Sequence, residues 1–167
     1  MAFWPQRHPP RFGADAGKGY MMQQLFVKKL RDTAILPSRA TPGSAGYDLY
    51  ADLPSALVIH PQEIVKVPTG IAVAIPDSEV VGLIYARSGL ASKYGIAPAN
   101  CVGVVDSDYR GELLVPLANH SPRAYVIEPG DRVAQLVLAP VYLPELCEVE
   151  ELDETARGSG GFGSTNR

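Results

Sequence analysis

Two carboxylates lie two positions apart in a polar turn near the middle of the chain. Asp106 and Asp108 belong to the segment 103–111, in which apolar residues flank the turn on both sides. Such a pair could bind a metal ion or supply a general base, and the neighbouring Tyr109 offers a flat surface for a sugar or a base. The alternative is a solvated hairpin tip, where Asp and Ser occur because they form turns.

A second polar segment, Arg87-Ser88-Gly89, follows a short apolar run. Backbone N–H groups, a hydroxyl and a guanidinium at such a junction could bind an anion, although a simple turn would use the same residues. The segment lacks the lysine and the spacing of a P-loop, and Ser88 is not in a GxSxG elbow. Asp48 follows a glycine turn at the start of a predicted strand. Gln135 lies within another predicted strand, where its side-chain amide needs a hydrogen-bond partner.

Composition and spacing exclude several other classes of site. Cys101 and Cys147 form no CxxC pair, and the three histidines form neither HxH nor HExxH, so no zinc ligand set is visible. Two reduced thiols are typical of a cytoplasmic protein. No apolar run reaches the roughly 18 residues of a membrane span, and the net charge of −3 argues against a nucleic-acid-binding surface. We therefore expect no membrane or nucleic-acid partner.

The elements that must position these residues are predicted to be short strands. The chain of 167 residues has 16 glycines and 15 prolines, an excess that disfavours long helices. Apolar runs separated by turn residues predict an all-β sandwich or barrel, with strands over 25–30, 70–75, 80–86, 111–119 and 133–139. Only residues 90–94 have a helical pattern. Pro68-Thr69-Gly70 and Pro129-Gly130-Asp131 predict corners between strands.

The two ends of the chain differ in character from the middle. Residues 1–22 are predicted to be a poorly ordered extension, residues 23–144 the β core, and residues 145–167 a C-terminal arm. The arm begins with six acidic residues between Glu145 and Glu154 and ends in a Gly/Ser-rich tail. That composition alone indicates a solvated linker, but an arginine and a lone phenylalanine are unusual in such a linker.

Taken in order, these segments resemble the five motifs of the trimeric dUTP nucleotidohydrolases (dUTPases), especially the bacterial members. The motifs correspond to residues 45–51, 87–91, 100–112, 130–136 and 157–165. The resemblance runs from about residue 25 to the C-terminus and implies a jelly-roll-like β subunit with a flexible C-terminal arm. It also implies a homotrimer whose active sites are shared among subunits.

The resemblance implies hydrolysis of dUTP to dUMP and pyrophosphate, which keeps uracil out of DNA and supplies dUMP for thymidylate synthesis. Mg²⁺ is the implied cofactor, held mainly by substrate phosphates and water and by no direct protein ligand. Asp106 resembles the general base that activates the attacking water, and Tyr109 the residue packed beneath the deoxyribose. The residues that resemble the uracil-reading hairpin are Asn100, Gly103, Val105 and Gly111.

The remaining motifs resemble the phosphate-binding parts of the family. Ser88, Gly89 and Gln135 match phosphate-contacting positions, Arg87 matches the arginine near the α-phosphate, and Asp48 matches a supporting aspartate. In the tail, which resembles a lid that closes over the substrate, Arg157 matches the residue reaching the γ-phosphate and Phe162 the ring over uracil. Gly163 and Ser164 follow as further substrate-binding positions.

Two other functions remain open at this stage. One is a dCTP deaminase-like enzyme of the same superfamily, although deaminases of that group lack the tail that begins at Arg157. The other is a non-catalytic nucleotide-sensing or protein-binding module. The absence of Asp106, Arg87 or Phe162 would favour it, and all three are present.

Overall fold

The computed structural model describes residues 24–160 of the chain. Within this range there are ten strands and one short helix, α1 (Ser88–Tyr94). The strands are β1 (Phe26–Lys29), β2 (Tyr47–Tyr50), β3 (Leu57–Ile59), β4 (Ile64–Ala74), β5 (Val80–Tyr85), β6 (Ile96–Pro98), β7 (Gly103–Val105), β8 (Glu112–Asn119), β9 (Tyr125–Ile127) and β10 (Arg132–Pro140).

The strands form two four-stranded sheets and a two-stranded ribbon. The first sheet has the order β1-β4-β8-β6, the second β2-β10-β5-β7, and the ribbon pairs β3 with β9. Every pairing is antiparallel. One buried apolar cluster takes side chains from both sheets, which makes the architecture a two-layer sandwich. The prediction of a jelly-roll-like, all-β fold is confirmed.

Alternation along β8 shows why these residues form sandwich strands. Leu113, Val115 and Leu117 are buried in the core, whereas Leu114 between them is 45% exposed. Successive side chains of a strand point to opposite faces, so period-two alternation buries one face only. The same reasoning from sequence correctly located the strands near 25–30, 80–86 and 133–139.

The prediction that Pro68-Thr69-Gly70 forms a corner is wrong, because all three residues lie inside β4. The register of β4 against β8 shifts between Pro68 and Ala72, and Gly70 adopts a φ of 67°. Proline cannot donate to the ladder and glycine tolerates this left-handed backbone. Together they produce a bulge, which bends the strand without ending it.

Helix α1 is the only helix within residues 24–160, and it follows Arg87 directly. It ends at Gly95, whose φ of 68° is left-handed and whose N–H is directed at the carbonyls of Leu90 and Ala91. Such a terminus is typical of glycine. The helix predicted over 90–94 is therefore confirmed and begins two residues earlier. No helix in the described range has the length and apolar character to cross a membrane.

Candidate active site

The loop between β7 and β8 carries the two carboxylates singled out above. It folds back as a turn in which the Tyr109 N–H donates to the Asp106 carbonyl at 3.1 Å. Arg110 stabilises this turn by donating from Nη1 to the carbonyls of Ser107 at 2.7 Å and Tyr109 at 2.9 Å. The Asp106 and Asp108 side chains are exposed, so both carboxylates are accessible to a ligand.

A pocket of about 200 Å³ opens beside this loop. The structure brings five of the residues predicted from sequence together in its lining, namely Asn100, Gly103, Val105, Asp106 and Tyr109. The pocket is small and has both apolar and polar walls, which suits a planar heterocycle more than a large ligand.

The Tyr109 ring is fixed at the edge of the pocket. Its hydroxyl donates to the Glu112 carbonyl at 3.0 Å. Gly111 lies directly against the ring, because a Cβ atom added there would come within 2.3 Å of the phenolic oxygen. Gly111 therefore belongs to this site as a residue whose missing side chain leaves room for Tyr109.

A second group of predicted residues gathers where β2, β5 and β10 lie side by side. Gln135 of β10 pairs with Asp48 of β2 on one side and with Tyr85 of β5 on the other. This register brings Arg87, two residues beyond Tyr85, near Asp48. The Nε of Arg87 donates to Asp48 Oδ1 at 2.9 Å.

Asp48 holds two guanidinium groups at once. Its second oxygen accepts a bond from Nη1 of Arg132 at 3.2 Å. The Asp48 side chain is 14% exposed and that of Arg87 27%, so the pair is partly shielded from solvent and the guanidinium keeps a defined orientation. Sequence reasoning did not single out Arg132 and missed this contact, since nothing local indicates a partner 84 positions away.

The partner that Gln135 requires is a backbone carbonyl. Its Nε2 donates to the Ala86 carbonyl at 2.9 Å, immediately before Arg87. Ser88 begins α1, and its carbonyl accepts the hydroxyl of Ser92 at 2.6 Å. The amide of Gln135 thus supports the loop that carries Arg87, Ser88 and Gly89.

Beside this loop lies a groove of about 290 Å³. Arg87, Lys93 and Arg132 contribute positive charge to its lining against the single carboxylate of Asp131, and Gly89 lies there too. Tyr125 also lines it, with its ring centroid 5.1 Å from that of Tyr94; burial raises the pKa of this tyrosine. A groove with three cations suits an anionic ligand.

The two pockets share no lining residue, so the predicted site residues fall into two groups within one chain. Arg157 is exposed on the arm, where its Nε donates to the Gly160 carbonyl at 2.8 Å. The predicted residues Phe162, Gly163 and Ser164 lie outside the described residues.

A metal site made only of protein side chains is not available in the described range. Residues 24–160 contain no cluster of three His, Cys, Asp or Glu side chains that could hold an ion. Mg²⁺ in proteins usually keeps several water molecules and binds substrate phosphates, and the accessible carboxylates of the 106–111 loop could accept hydrogen bonds from such waters.

Comparison with known proteins identifies the same family. Residues 32–166 match the dUTPase family. A deoxyuridine 5'-triphosphate nucleotidohydrolase of Desulfitobacterium hafniense is 55% identical over 130 residues, which cover 78% of this chain and 86% of the relative. The enzyme of that name from Serratia proteamaculans is 46% identical over 152 residues and covers 88% and 99%.

Solved structures give the same result. The dUTPase of Staphylococcus bacteriophage 80alpha with dUPNHPP superposes with a TM-score of 0.78 at 32% identity, covering 87% of this chain and 99% of that one. A mutant dUTPase from phage phi11 of S. aureus, described as revealing the coordination of a structural Mg(II) ion, gives a TM-score of 0.71 at 30% identity. That match covers 78% of this chain and 99% of the phage chain.

Proposed function

The chain belongs to the dUTPase family, and we propose that it hydrolyses dUTP to dUMP and pyrophosphate at a site built from the two groups of residues described above. One observation carries the proposal: the exposed carboxylate of Asp106 and the ring of Tyr109 line the same small pocket. The enzyme is thus a dUTP diphosphatase. Its reaction removes dUTP, which keeps uracil out of DNA, and supplies dUMP for thymidylate synthesis.

Asp106 is the general base in this proposal. Its carboxylate orients a water molecule and accepts its proton as the water oxygen bonds to the α-phosphorus. The bond between the α-phosphorus and the oxygen bridging to the β-phosphate breaks, and pyrophosphate leaves. An exposed carboxylate suits this role, since the water must reach both Asp106 and the substrate.

The small pocket holds the nucleoside. Asn100 and the backbone of Gly103 and Val105, which line this pocket, face the edge of uracil and leave no room for a 5-methyl group in this proposal. Tyr109 lies beneath the deoxyribose, where a ribose 2′-hydroxyl would clash. Gly111 permits that position of the ring.

The triphosphate is bound by the second group. Arg87 neutralises charge at the α-phosphate, and Asp48 supports the site by fixing the guanidinium. Ser88 and Gly89 offer a hydroxyl and a backbone N–H, and Gln135 braces their loop through Ala86. Prepositioned charges of this kind stabilise a transition state without reorganisation.

Mg²⁺ is the proposed cofactor, held mainly by the phosphates of the substrate and by water, with no direct protein ligand. When bound, it neutralises negative charge on the phosphates and polarises the phosphorus under attack. The exposed carboxylates of Asp106 and Asp108 could accept hydrogen bonds from water molecules bound to the ion.

We propose a homotrimer in which neighbouring subunits complete each site. Three features support it: the two pockets share no residue, Val104 of β7 is 66% exposed, and Leu114 of β8 is 45% exposed. On the arm, Leu146 is 100% and Leu152 84% exposed. Large apolar side chains in such numbers favour burial against another subunit.

The tail after the acidic segment is proposed to close over the substrate as a flexible lid. In this proposal Arg157 reaches the γ-phosphate, Phe162 stacks over uracil, and Gly163 and Ser164 contact the bound nucleotide. Closure would exclude water and fix the in-line geometry. Arg157 is exposed and, among residues 24–160, bonds to the Gly160 carbonyl of its own turn, which is compatible with this movement.

A cytoplasmic location is proposed from the thiols. Cys101 and Cys147 are both free and exposed, which suits a reducing compartment better than an oxidising one.

The proposed function is tested by measuring pyrophosphate release from dUTP, dTTP, dCTP and UTP in the presence of Mg²⁺. We expect product from dUTP far in excess of the other three. Equal rates with dUTP and dTTP would contradict the proposal. Ammonia release from dCTP would indicate a deaminase, and binding without any product would indicate a nucleotide-sensing module.

A further inference from the structure

The ladder between β4 and β8 is interrupted close to the pocket that holds Tyr109. Pro68 pairs with Leu114 and Ala72 with Glu112, so three residues of β4 oppose one residue of β8 in between. Side chains replace the missing ladder bonds. The hydroxyl of Thr69 donates to the Leu113 carbonyl at 2.7 Å, and the Gly70 N–H donates to Oε1 of Glu112 at 2.8 Å.

Arg31 lies outside β4 and β8 and bonds to the same Glu112 carboxylate. Its Nη1 donates to Oε2 of Glu112 at 3.2 Å, and Nη2 donates to Oε1, which makes the contact bidentate. Its Nε donates to Oδ2 of Asp52 at 2.5 Å. The Asp52 side chain is only 5% exposed, so the guanidinium is held between two fixed carboxylates.

Gly70 shows how closely these groups approach one another. A Cβ atom there would come within 2.2 Å of Oδ2 of Asp52 and within 2.6 Å of the Ala34 side chain. The Arg31 hydrogen bond, opposed by burial, lowers the pKa of Glu112 below its ordinary value. Glu112 is thus a charged side chain bonded on one side to β4 and on the other to Arg31.

The backbone of Glu112 connects this cluster to the pocket, because its carbonyl accepts the Tyr109 hydroxyl at 3.0 Å. Fixing the Glu112 side chain therefore fixes the acceptor that orients the Tyr109 ring. Sequence reasoning missed Arg31 and Glu112, which lie 81 positions apart.

We infer that Arg31 and Glu112 are positioning residues that hold the Tyr109 ring in place and thereby set the discrimination between dUTP and UTP. The inference rests on the proposed function, in which Tyr109 lies beneath the sugar. Arg31 lies outside the lining of the nucleoside pocket, whereas Glu112 forms part of its wall. They act through the Glu112 carbonyl and the Tyr109 hydroxyl.

The test compares kcat/KM for dUTP with kcat/KM for UTP in the full-length protein. We expect Arg31→Ala to lower this ratio about fivefold, the effect of weakening one hydrogen bond of about 1 kcal/mol. Tyr109→Phe, which removes the same bond, should lower it similarly. Lys28→Ala is the matched control, since Lys28 is an exposed cation of β1, close to Arg31 in sequence.

A double variant separates positioning from general weakening. Because Arg31 acts through the Tyr109 hydroxyl, Arg31→Ala combined with Tyr109→Phe should lower the ratio no further than either change alone. The inference would be overturned if the loss in the double variant equalled the product of the two single losses. It would also be overturned if the ratio were unchanged in Arg31→Ala while the wild type discriminates between dUTP and UTP. If Arg31→Ala does not fold, Glu112→Gln takes its place with the same criteria.

A readout that does not depend on activity distinguishes this inference from the proposed function. Amide hydrogen exchange across residues 106–113 should be faster in Arg31→Ala than in the wild type and unchanged in Lys28→Ala. A wild-type protein that does not hydrolyse dUTP would refute the proposed function, and the exchange data would still decide whether Arg31 orders Tyr109. Unchanged exchange in Arg31→Ala would refute the positioning role.

Discussion

The Tyr109 ring occupies the space that a side chain at residue 111 would fill. A Cβ atom on Gly111 would lie 2.3 Å from the phenolic oxygen and 2.5 Å from the ring carbon that bears it. Such separations cannot be relieved without moving the ring or the backbone. The glycine is therefore required by the tyrosine, and the position of the tyrosine defines one wall of the proposed nucleoside pocket.

Replacing Gly111 with alanine should displace Tyr109 and impair catalysis without unfolding the protein. We expect kcat/KM for dUTP to fall ~10- to 100-fold, because small displacements of positioning groups have effects of this size. Steady-state kinetics and circular dichroism measure the two effects. Gly43→Ala is the control, since a Cβ atom there meets nothing within 4 Å. Full activity in Gly111→Ala would show that the ring position is immaterial.

Changing Asp106 to asparagine should abolish turnover while preserving binding. The amide keeps the shape of the carboxylate but cannot accept a proton from water, so kcat should fall by about 10²- to 10⁴-fold. The Kd for a non-hydrolysable dUTP analogue, measured by calorimetry, should change little. Asp108→Asn, an exposed carboxylate in the same turn, should remain active. Parallel losses of binding and rate in Asp106→Asn would instead indicate a structural role.

Local patterns in the sequence predicted much of the fold and singled out part of the candidate site, and the family resemblance supplied the other candidate residues. The alternation of Leu113, Val115 and Leu117 located a strand because burial of one face leaves a period of two. Glycine-rich turns and isolated polar residues in apolar strands, such as Gln135, indicated where backbone groups or ligands need partners.

Contacts between distant segments could not be predicted in the same way. Arg132 and Arg31 find their partners across more than 80 positions, and these contacts depend on strand register, which short-range patterns do not specify. The Pro68-Thr69-Gly70 segment was wrongly predicted to be a corner because the same residue types serve turns and bulges. The pairing of Pro68 with Leu114 shows that the strand continues here, which distinguishes a bulge from a turn.

Neutralising Asp48 should weaken triphosphate binding. In Asp48→Asn the Arg87 guanidinium loses its charged partner and its fixed orientation, so KM for dUTP should rise about tenfold. Arg132→Ala removes only the second partner and keeps the Arg87–Asp48 bond, so its effect should be smaller. Kinetic measurements on both variants provide the comparison. An unchanged or lower KM in Asp48→Asn would mean that the aspartate merely neutralises Arg87.

The free energy of unfolding should fall in acid partly because Asp52 and Glu112, the two carboxylates that bond to Arg31, become protonated. The Arg31 hydrogen bond is the main cause of the lowered pKa of Glu112. Burial alone would raise the pKa of Asp52, but hydrogen bonds from Thr33 and Arg31 and the charge of Lys29 lower it. Because folding lowers both pKa values, the two carboxylates stabilise the folded state fully above their ordinary pKa values, which are 4.5 for Glu112 and 3.8 for Asp52. This stabilisation disappears as the pH falls through the pKa values of the folded state.

Glu112→Gln removes one of these titrating groups, so its free energy of unfolding should decline less steeply than that of the wild type between about pH 5 and about pH 3. Urea unfolding at a fixed protein concentration measures this slope. Glu79→Gln, which alters an exposed glutamate outside the cluster, should leave the slope as in the wild type. An identical slope in Glu112→Gln would mean that Arg31 does not stabilise the charged form.

Removing the tail tests whether the end of the chain belongs to the active site. A chain that ends at residue 156 retains every strand of the sandwich and the exposed apolar residues Leu146 and Leu152, so we expect it to fold and to keep its oligomeric state. Without Arg157 and the glycine-rich segment, the substrate would stay open to solvent and the phosphates would lose one cation. We therefore expect kcat/KM for dUTP to fall about 100-fold or more.

Size-exclusion chromatography with light scattering and pyrophosphate release measure the two effects of this truncation separately. Deletion of Asn166 and Arg167 alone is the matched control, since it shortens the chain but leaves the proposed lid residues, and it should be fully active. If the chain ending at residue 156 retained wild-type activity, the tail would be a dispensable linker, as its composition alone suggests. Loss of assembly together with activity would instead assign the tail a role in holding subunits together.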